Sequence, residues 1–239
     1  MKKNIVFFLL FSSLTLFSQN SLKHSNSLWF SDFTKVNFKK NWSFYFDFGL
    51  RGSDWAGKWS QQLVRPGLSY VFNEKVNITA GIAYFKHFST GSYREEFRGW
   101  EQLLITNAVK RIKINHRLRI EQRSMQNTIE GQRSNSFTNR YRYMLQLQMP
   151  LNHASLNDRT WYIALSDEVM FNSGEGIVYN SFDQNRASIG IGYKWNETLS
   201  VMLSYTDIFL VKNRKDSFEQ TNVINLSLFH NLHIGGKSQ

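Results

Sequence analysis

A period-2 alternation of apolar and polar residues recurs almost from end to end of this chain, in segments of ten to fourteen residues. In Trp42-Ser43-Phe44-Tyr45-Phe46-Asp47-Phe48-Gly49-Leu50-Arg51 the even positions are Trp, Phe, Phe, Phe and Leu, while Ser, Asp, Gly and Arg occupy odd ones. Successive side chains of a strand point to opposite faces, so such a segment has one apolar and one polar face. Strands of soluble sheets run about five or six residues. A tilted strand crossing a bilayer needs about 9–11. The pattern therefore predicts an all-β fold: a single antiparallel up-and-down transmembrane β-barrel.

The first residues point the same way. Lys2 and Lys3 make a basic start, Ile5 to Phe17 an apolar stretch broken only by Ser12, Ser13 and Thr15, and a polar chain begins at Gln19. This reads as a secretory signal peptide over residues 1–18, with a barrel domain over 19–239. The apolar stretch is short for a spanning helix, which needs about twenty residues. An exported chain of this kind is expected in the bacterial outer membrane, with outer-membrane lipid and the barrel-assembly machinery as its partners.

The formal net charge of +11 becomes +9 without Lys2 and Lys3. No Lys/Arg run of the length that marks nucleic-acid binding appears, and an exported chain meets little nucleic acid. Cysteine is absent, which excludes disulfides and thiolate chemistry. With a mean hydropathy of −0.41 and no later apolar run near eighteen residues, the chain is not a helical membrane protein. Barrels escape that test because half of their strand residues can be polar. No Pro/Gly/Ser linker divides the sequence, and its only prolines are Pro66 and Pro150.

Eleven candidate strands fall near 27–38, 42–52, 59–72, 76–88, 99–111, 114–126, 136–149, 160–171, 183–195, 199–211 and 219–233. Short polar turns at 39–41, 73–75, 111–113 and 196–198, with a longer one at 150–159, alternate with longer connections at 53–58, 89–98, 127–135, 172–182 and 212–218. Bacterial barrels place short turns on the periplasmic side and long loops outside, and have even strand numbers. Ten to twelve strands are therefore expected. Phe38, Trp42, Phe72, Trp161, Tyr193 and Trp195 cluster at the short turns, as an aromatic girdle would.

The faces give the interior its chemistry. Arg117, Arg119, Glu121 and Arg123 share one face of strand 114–126, opposite Leu118 and Ile120. Thr138, Arg140, Arg142, Gln146 and Gln148 share a face of 136–149, opposite Phe137, Tyr141 and Tyr143. An arginine facing lipid near the midplane costs about 2–4 kcal/mol, so the arginine faces point inward. Glu168 belongs to the inward face of 160–171, and Arg186 to that of 183–195 with Ser188, Gly190, Gly192 and Lys194. Glu121 and Glu168, with Glu101 and Asp183, are candidates to pair with the arginines across strands. The cluster fits either a salt-bridged plug or a narrow path for a small anionic solute.

The stretches His116-Arg117-Leu118-Arg119-Ile120-Glu121-Gln122-Arg123, Arg140-Tyr141-Arg142-Tyr143, Pro150-Leu151, Phe182-Asp183-Gln184-Asn185-Arg186 and Gly190-Ile191-Gly192-Tyr193, preceded by Arg98-Gly99-Trp100-Glu101-Gln102, occur in this order. Over essentially the whole mature chain they resemble the DUF2490 family of uncharacterised outer-membrane proteins common in Bacteroidota. The resemblance implies an outer-membrane barrel and carries no activity or catalytic residues.

His87-Phe88-Ser89 places a histidine and a serine on one strand face and resembles the catalytic pair of outer-membrane phospholipases and lipid A deacylases. A serine nucleophile needs a base within about 2.6–3.2 Å and a group to orient it. Parity puts His87 on the interior face with Asn77, Thr79, Gly81 and Ala83, away from lipid, and no orienting residue is assignable. No catalytic residue is expected, and His24, His87, His116, His153, His230 and His233 form no zinc spacing. No metal or cofactor is expected. The alternative in another class is a secreted soluble lipocalin-like carrier, in which Arg117, Arg119 and Arg123 would face outward and Leu118 and Ile120 would line a ligand cavity.

Overall fold

A computed structural model of the protein describes residues 21–89, 92–129, 132–174, 177, 179–212 and 216–234. The expected signal peptide at 1–18 lies outside them. Eleven strands account for most of these residues: β1 Ser21–Lys39, β2 Trp42–Ser53, β3 Lys58–Val71, β4 Val76–Ser89, β5 Ser92–Val109 and β6 Ile112–Ile129 are followed by β7 Gln132–Pro150, β8 Thr160–Ser173, β9 Phe182–Lys194, β10 Leu199–Val211 and β11 Ser217–His233. Each pairs antiparallel with its neighbours in sequence, and the sheet closes where β1 meets β11. Among the described residues there is no helix.

The closed all-β barrel of eleven strands falls within the ten to twelve expected; it departs from the even count of bacterial barrels, and one of its ladders is parallel. With an odd number of strands the first and last run in the same direction, and β1 pairs β11 in parallel from Ser21↔Ser217 to Asn37↔His233. Several strands are also longer than the alternation suggested. The segment 89–98, expected to be a loop, is almost all strand, with β4 running to Ser89 and β5 starting at Ser92. Likewise β6 and β7 extend through most of 127–135. Polar residues on both faces of these extensions hide their period.

The outward face carries the apolar half of the pattern: Phe44, Leu68, Ile82, Leu118, Ile120, Leu165, Ile191 and Leu203 are all exposed on the barrel's exterior. At the short-turn end Tyr70 contacts Trp42 and Phe72 edge-on, and Tyr193 contacts Trp195 edge-on and Trp161 at a tilt, with centroids 4.8–5.0 Å apart. All but Tyr70 are among the aromatic residues that the sequence grouped at the short turns. A few carboxylates interrupt the apolar exterior, each held by a neighbour. Glu101 accepts from Gln122 (3.1 Å), Asp167 from Asn185 (2.7 Å) and Asp207 from Gln220 (2.7 Å). Asp32 accepts from Thr34 (2.8 Å) and meets His230 at 3.0 Å.

Inside, three kinds of wall face one another. Leu63, Ala83, Phe85 and Trp100, with Tyr45 against them, make a small apolar cluster on β2–β5. The β5–β9 wall is arginine and carboxylate. The β9–β11 and β1 wall carries many small hydroxyl and amide side chains, with Ser188 bonded to Thr206 (2.7 Å) and Ser31 to Asn225 (3.1 Å), among which stand Trp29, Phe33 and Lys35 of β1 and Glu219 of β11. Pro66 on β3 has no N–H to offer β4, and the indole N–H of Trp100 donates to the Ile82 carbonyl beside it (3.1 Å). Trp100 reaches this position because residue 67 is glycine: a Cβ there would lie 2.7 Å from the indole. Trp100→Phe leaves that buried carbonyl without its donor and is expected to cost about 1–3 kcal/mol, measured as a lower urea midpoint for loss of the folded, heat-modifiable gel band.

Candidate functional site

The barrel encloses a cavity of about 1660 Å³. Its lining runs from Lys23, Ser53 and Lys58 at the far end down to Lys35, Asn115 and Gln146, three or four residues short of the short-turn end. Ten arginines line it: Arg51, Arg65, Arg94, Arg98, Arg117, Arg119, Arg123, Arg140, Arg142 and Arg186. All seven arginine and glutamate positions read from the β6, β7 and β8 faces, with Arg186 of β9, point into this interior, and Leu118 and Ile120 point out. This is the reverse of the facing a lipocalin-like carrier requires.

The arginines are arranged around five carboxylates. Glu121 is paired with Arg142 (2.7 Å), Arg98 (2.8 Å) and, more distantly, Arg119 (3.8 Å). Glu168 takes Arg117 at 2.6 Å on one oxygen and the fork of Arg142 at 2.9 Å on both. Glu96, fully buried at 0 % exposure, is paired with Arg98 (2.8 Å) and Arg123. Asp183 holds Arg140 (2.9 Å), and Asp47 holds Arg65. Burying an isolated charge is prohibitive, whereas charges that share hydrogen bonds in a network are tolerated. Successive inward positions of neighbouring strands bring these residues opposite one another: Arg119↔Arg142, Glu121↔Arg140 and Glu168↔Arg186 are cross-strand pairs.

Five carboxylates cannot neutralise ten guanidiniums. Among the described residues, Arg51, Arg94 and Arg186 have no carboxylate within ion-pair distance. Buried guanidinium N–H groups at Arg94 Nε, Arg117 Nε and Arg119 Nη1 have no acceptor either. Glu96 and Glu121 sit behind the arginines, so the surface presented to the cavity is positive.

Of the two further carboxylate candidates, one fails and one holds. Glu101 does not join the cluster: it lies on the outward face of β5, because inward parity on that strand belongs to Arg98, Trp100 and Gln102. Asp183 does join it. The sequence reading missed Glu96 and Arg98 as cluster members because it treated 89–98 as a loop. The alternation Arg94, Glu96, Arg98, Trp100, Gln102 was the available signal. It also passed over Arg51, Asp47 and Arg65 on β2 and β3.

His87 and Ser89 both border the cavity. The His87 ring is held by the Gln61 amide (2.8 Å) and Arg94 (3.2 Å), and lies 3.4 Å from the Glu96 carboxylate. Ser89 is exposed at the end of β4. His87 is thus tied into the charge network.

Removing a carboxylate from the interior strands its cations. Glu121→Ala is expected to destabilise the barrel by about 3–5 kcal/mol, whereas Glu95→Ala, which breaks the half-exposed pair with Lys86 (4.0 Å), should cost no more than about 1 kcal/mol. Urea denaturation of the two variants in detergent micelles checks the contrast.

A family model described as a protein of unknown function, DUF2490, matches residues 26–219. No curated protein and no solved structure matches the chain.

Proposed function

The chain belongs to the DUF2490 family, and from its interior we propose that it is a non-enzymatic outer-membrane β-barrel whose arginine-lined cavity admits small anions. The observation that carries this reading is that ten arginines but only four carboxylates, Asp54, Glu168, Asp183 and Glu219, line the cavity. A barrel that used ion pairs only as filling would approach neutrality, since every unmatched buried charge is costly. An excess of guanidiniums over carboxylates in the lining calls for anions from outside the chain. Rings of arginine choose anions when they line a passage.

The membrane setting has separate support. Apolar side chains cover the exterior, aromatic rings gather at the short-turn end, and the arginines of the central strands point inward. Water outside such a surface would meet a broad apolar face with no partner. Lipid would satisfy it, and outward arginines would not survive there. The signal peptide expected at residues 1–18 supplies the export this location requires.

The purified protein in a planar bilayer under a potassium chloride gradient is expected to show a reversal potential displaced toward that of chloride. Arg119→Glu combined with Arg142→Glu should move it toward potassium. A wild-type protein without measurable conductance would reduce the role to that of a closed, salt-bridged barrel, and recovery of the protein wholly in the soluble periplasmic fraction would overturn the membrane reading.

A further inference from the structure

Of the three interior arginines without a carboxylate within ion-pair distance, Arg94 lies against the His87 ring (3.2 Å), which leaves Arg51 on β2 and Arg186 on β9. The carboxylates nearest to each in the ladder are already engaged. Asp47, two inward positions before Arg51 on β2, is taken by Arg65. Glu168, directly opposite Arg186, gives its oxygens to Arg117 and Arg142. Asp183, on the same strand as Arg186, is held by Arg140, Asn172 and Gln184. What remains to Arg186 is the side-chain oxygen of Gln184 (2.8 Å), and to Arg51 the face of Trp29 (3.8 Å).

These two leftover cations converge. Arg186 also stands over Trp29, 5.4 Å from the ring centroid, so the two guanidinium carbons are at most about 9 Å apart. They come from separate walls, since β1, β11 and β10 lie between β2 and β9 in the closed sheet. Both border the cavity, as do Ser27, Ser188, Ser204 and Thr206 of the hydroxyl-rich wall. The indole fixes the spacing and contributes no counter-charge.

We propose that Arg51 and Arg186, spaced by Trp29, form a binding site for a phosphate-type oxyanion inside the barrel. A guanidinium offers a planar fork of donors, and a carboxylate can match one such fork in one plane. A tetrahedral oxyanion presents acceptors in several directions and carries more than one charge, so one ion serves two forks that approach from different walls. The serine and threonine hydroxyls of the hydroxyl-rich wall supply further donors. This site deepens the anion reading given above and rests on the same cavity.

Calorimetric titration of inorganic phosphate into the purified protein in detergent micelles tests it, with sodium chloride held at a fixed concentration. The expected result is saturable binding that weakens at least tenfold in Arg51→Gln and in Arg186→Gln. Lys212→Gln, which alters a pair at the far end of the barrel, should bind as the wild type does. Arg51→Lys keeps the charge and loses the fork, and should give intermediate affinity in a barrel whose folding is checked by heat-modifiable mobility. Absence of saturable binding to the wild type, equal binding by the folded Arg51→Lys and Arg186→Gln proteins, or tighter binding of succinate than of phosphate would each overturn the assignment. Conductance separates the two levels. Anion selectivity without phosphate binding sinks this site and leaves the passage, whereas phosphate binding without conductance keeps the site in a closed barrel.

Discussion

The fate of buried guanidinium charge governs this structure. An arginine side chain in the middle of a strand must face one side of the sheet or the other, and the inner side is the one where Glu96, Glu121, Glu168, Asp47 and Asp183 can meet it. Once that side is settled for one strand, the two-residue period settles it for every side chain on that strand, and the ladder carries the choice to the next. The apolar exterior is therefore the other half of the same decision. A slip of one residue between β6 and β7 would turn Arg140 and Arg142 outward and Tyr141 and Tyr143 in, so the ion pairs specify register as well as filling space.

The interior is divided unevenly by its chemistry. Large apolar rings occupy the β2–β5 wall, charge occupies the next, and the remainder mixes many hydroxyls with a few large side chains such as Trp29 and Phe33. Trp100 ties the first two together. It meets the Ile82 carbonyl beside Pro66 and lies under the guanidiniums of Arg119 (4.9 Å) and Arg65 (5.6 Å). The hydroxyl-rich wall leaves the open volume, and the arginines of the opposite wall give that volume its sign.

Where a strand alternates cleanly, its inward and outward sides were legible in the sequence. Leu118 and Ile120 against Arg117 and Arg119 is such a case, and so is the aromatic grouping of Trp42, Phe72, Trp161 and Trp195. Alternation fails as a guide where both faces are polar. Residues 92–98 carry Arg94, Glu96 and Arg98 inward and Glu95 outward, so the local hydrophobic contrast vanishes although the strand continues. Glu101 misled for the opposite reason: its charge suggested the interior, while its position on β5 and its bond to Gln122 place it outside. The count of eleven was visible as spacing, but the parallel closure was not, because it joins segments at opposite ends of the chain that share no local signal.

The meeting of β1 and β11 has a kinetic consequence. Its seventeen residue pairs link positions 196 apart in sequence, whereas every other ladder joins neighbours. Contacts of such separation carry the greatest loop-closure entropy, which makes this seam the natural last step of assembly. Until it forms, the sheet has two long edges of unsatisfied amide and carbonyl groups, and a hydrocarbon layer offers those groups no water. In the outer-membrane setting proposed above, insertion and circularisation would have to be a single coupled event.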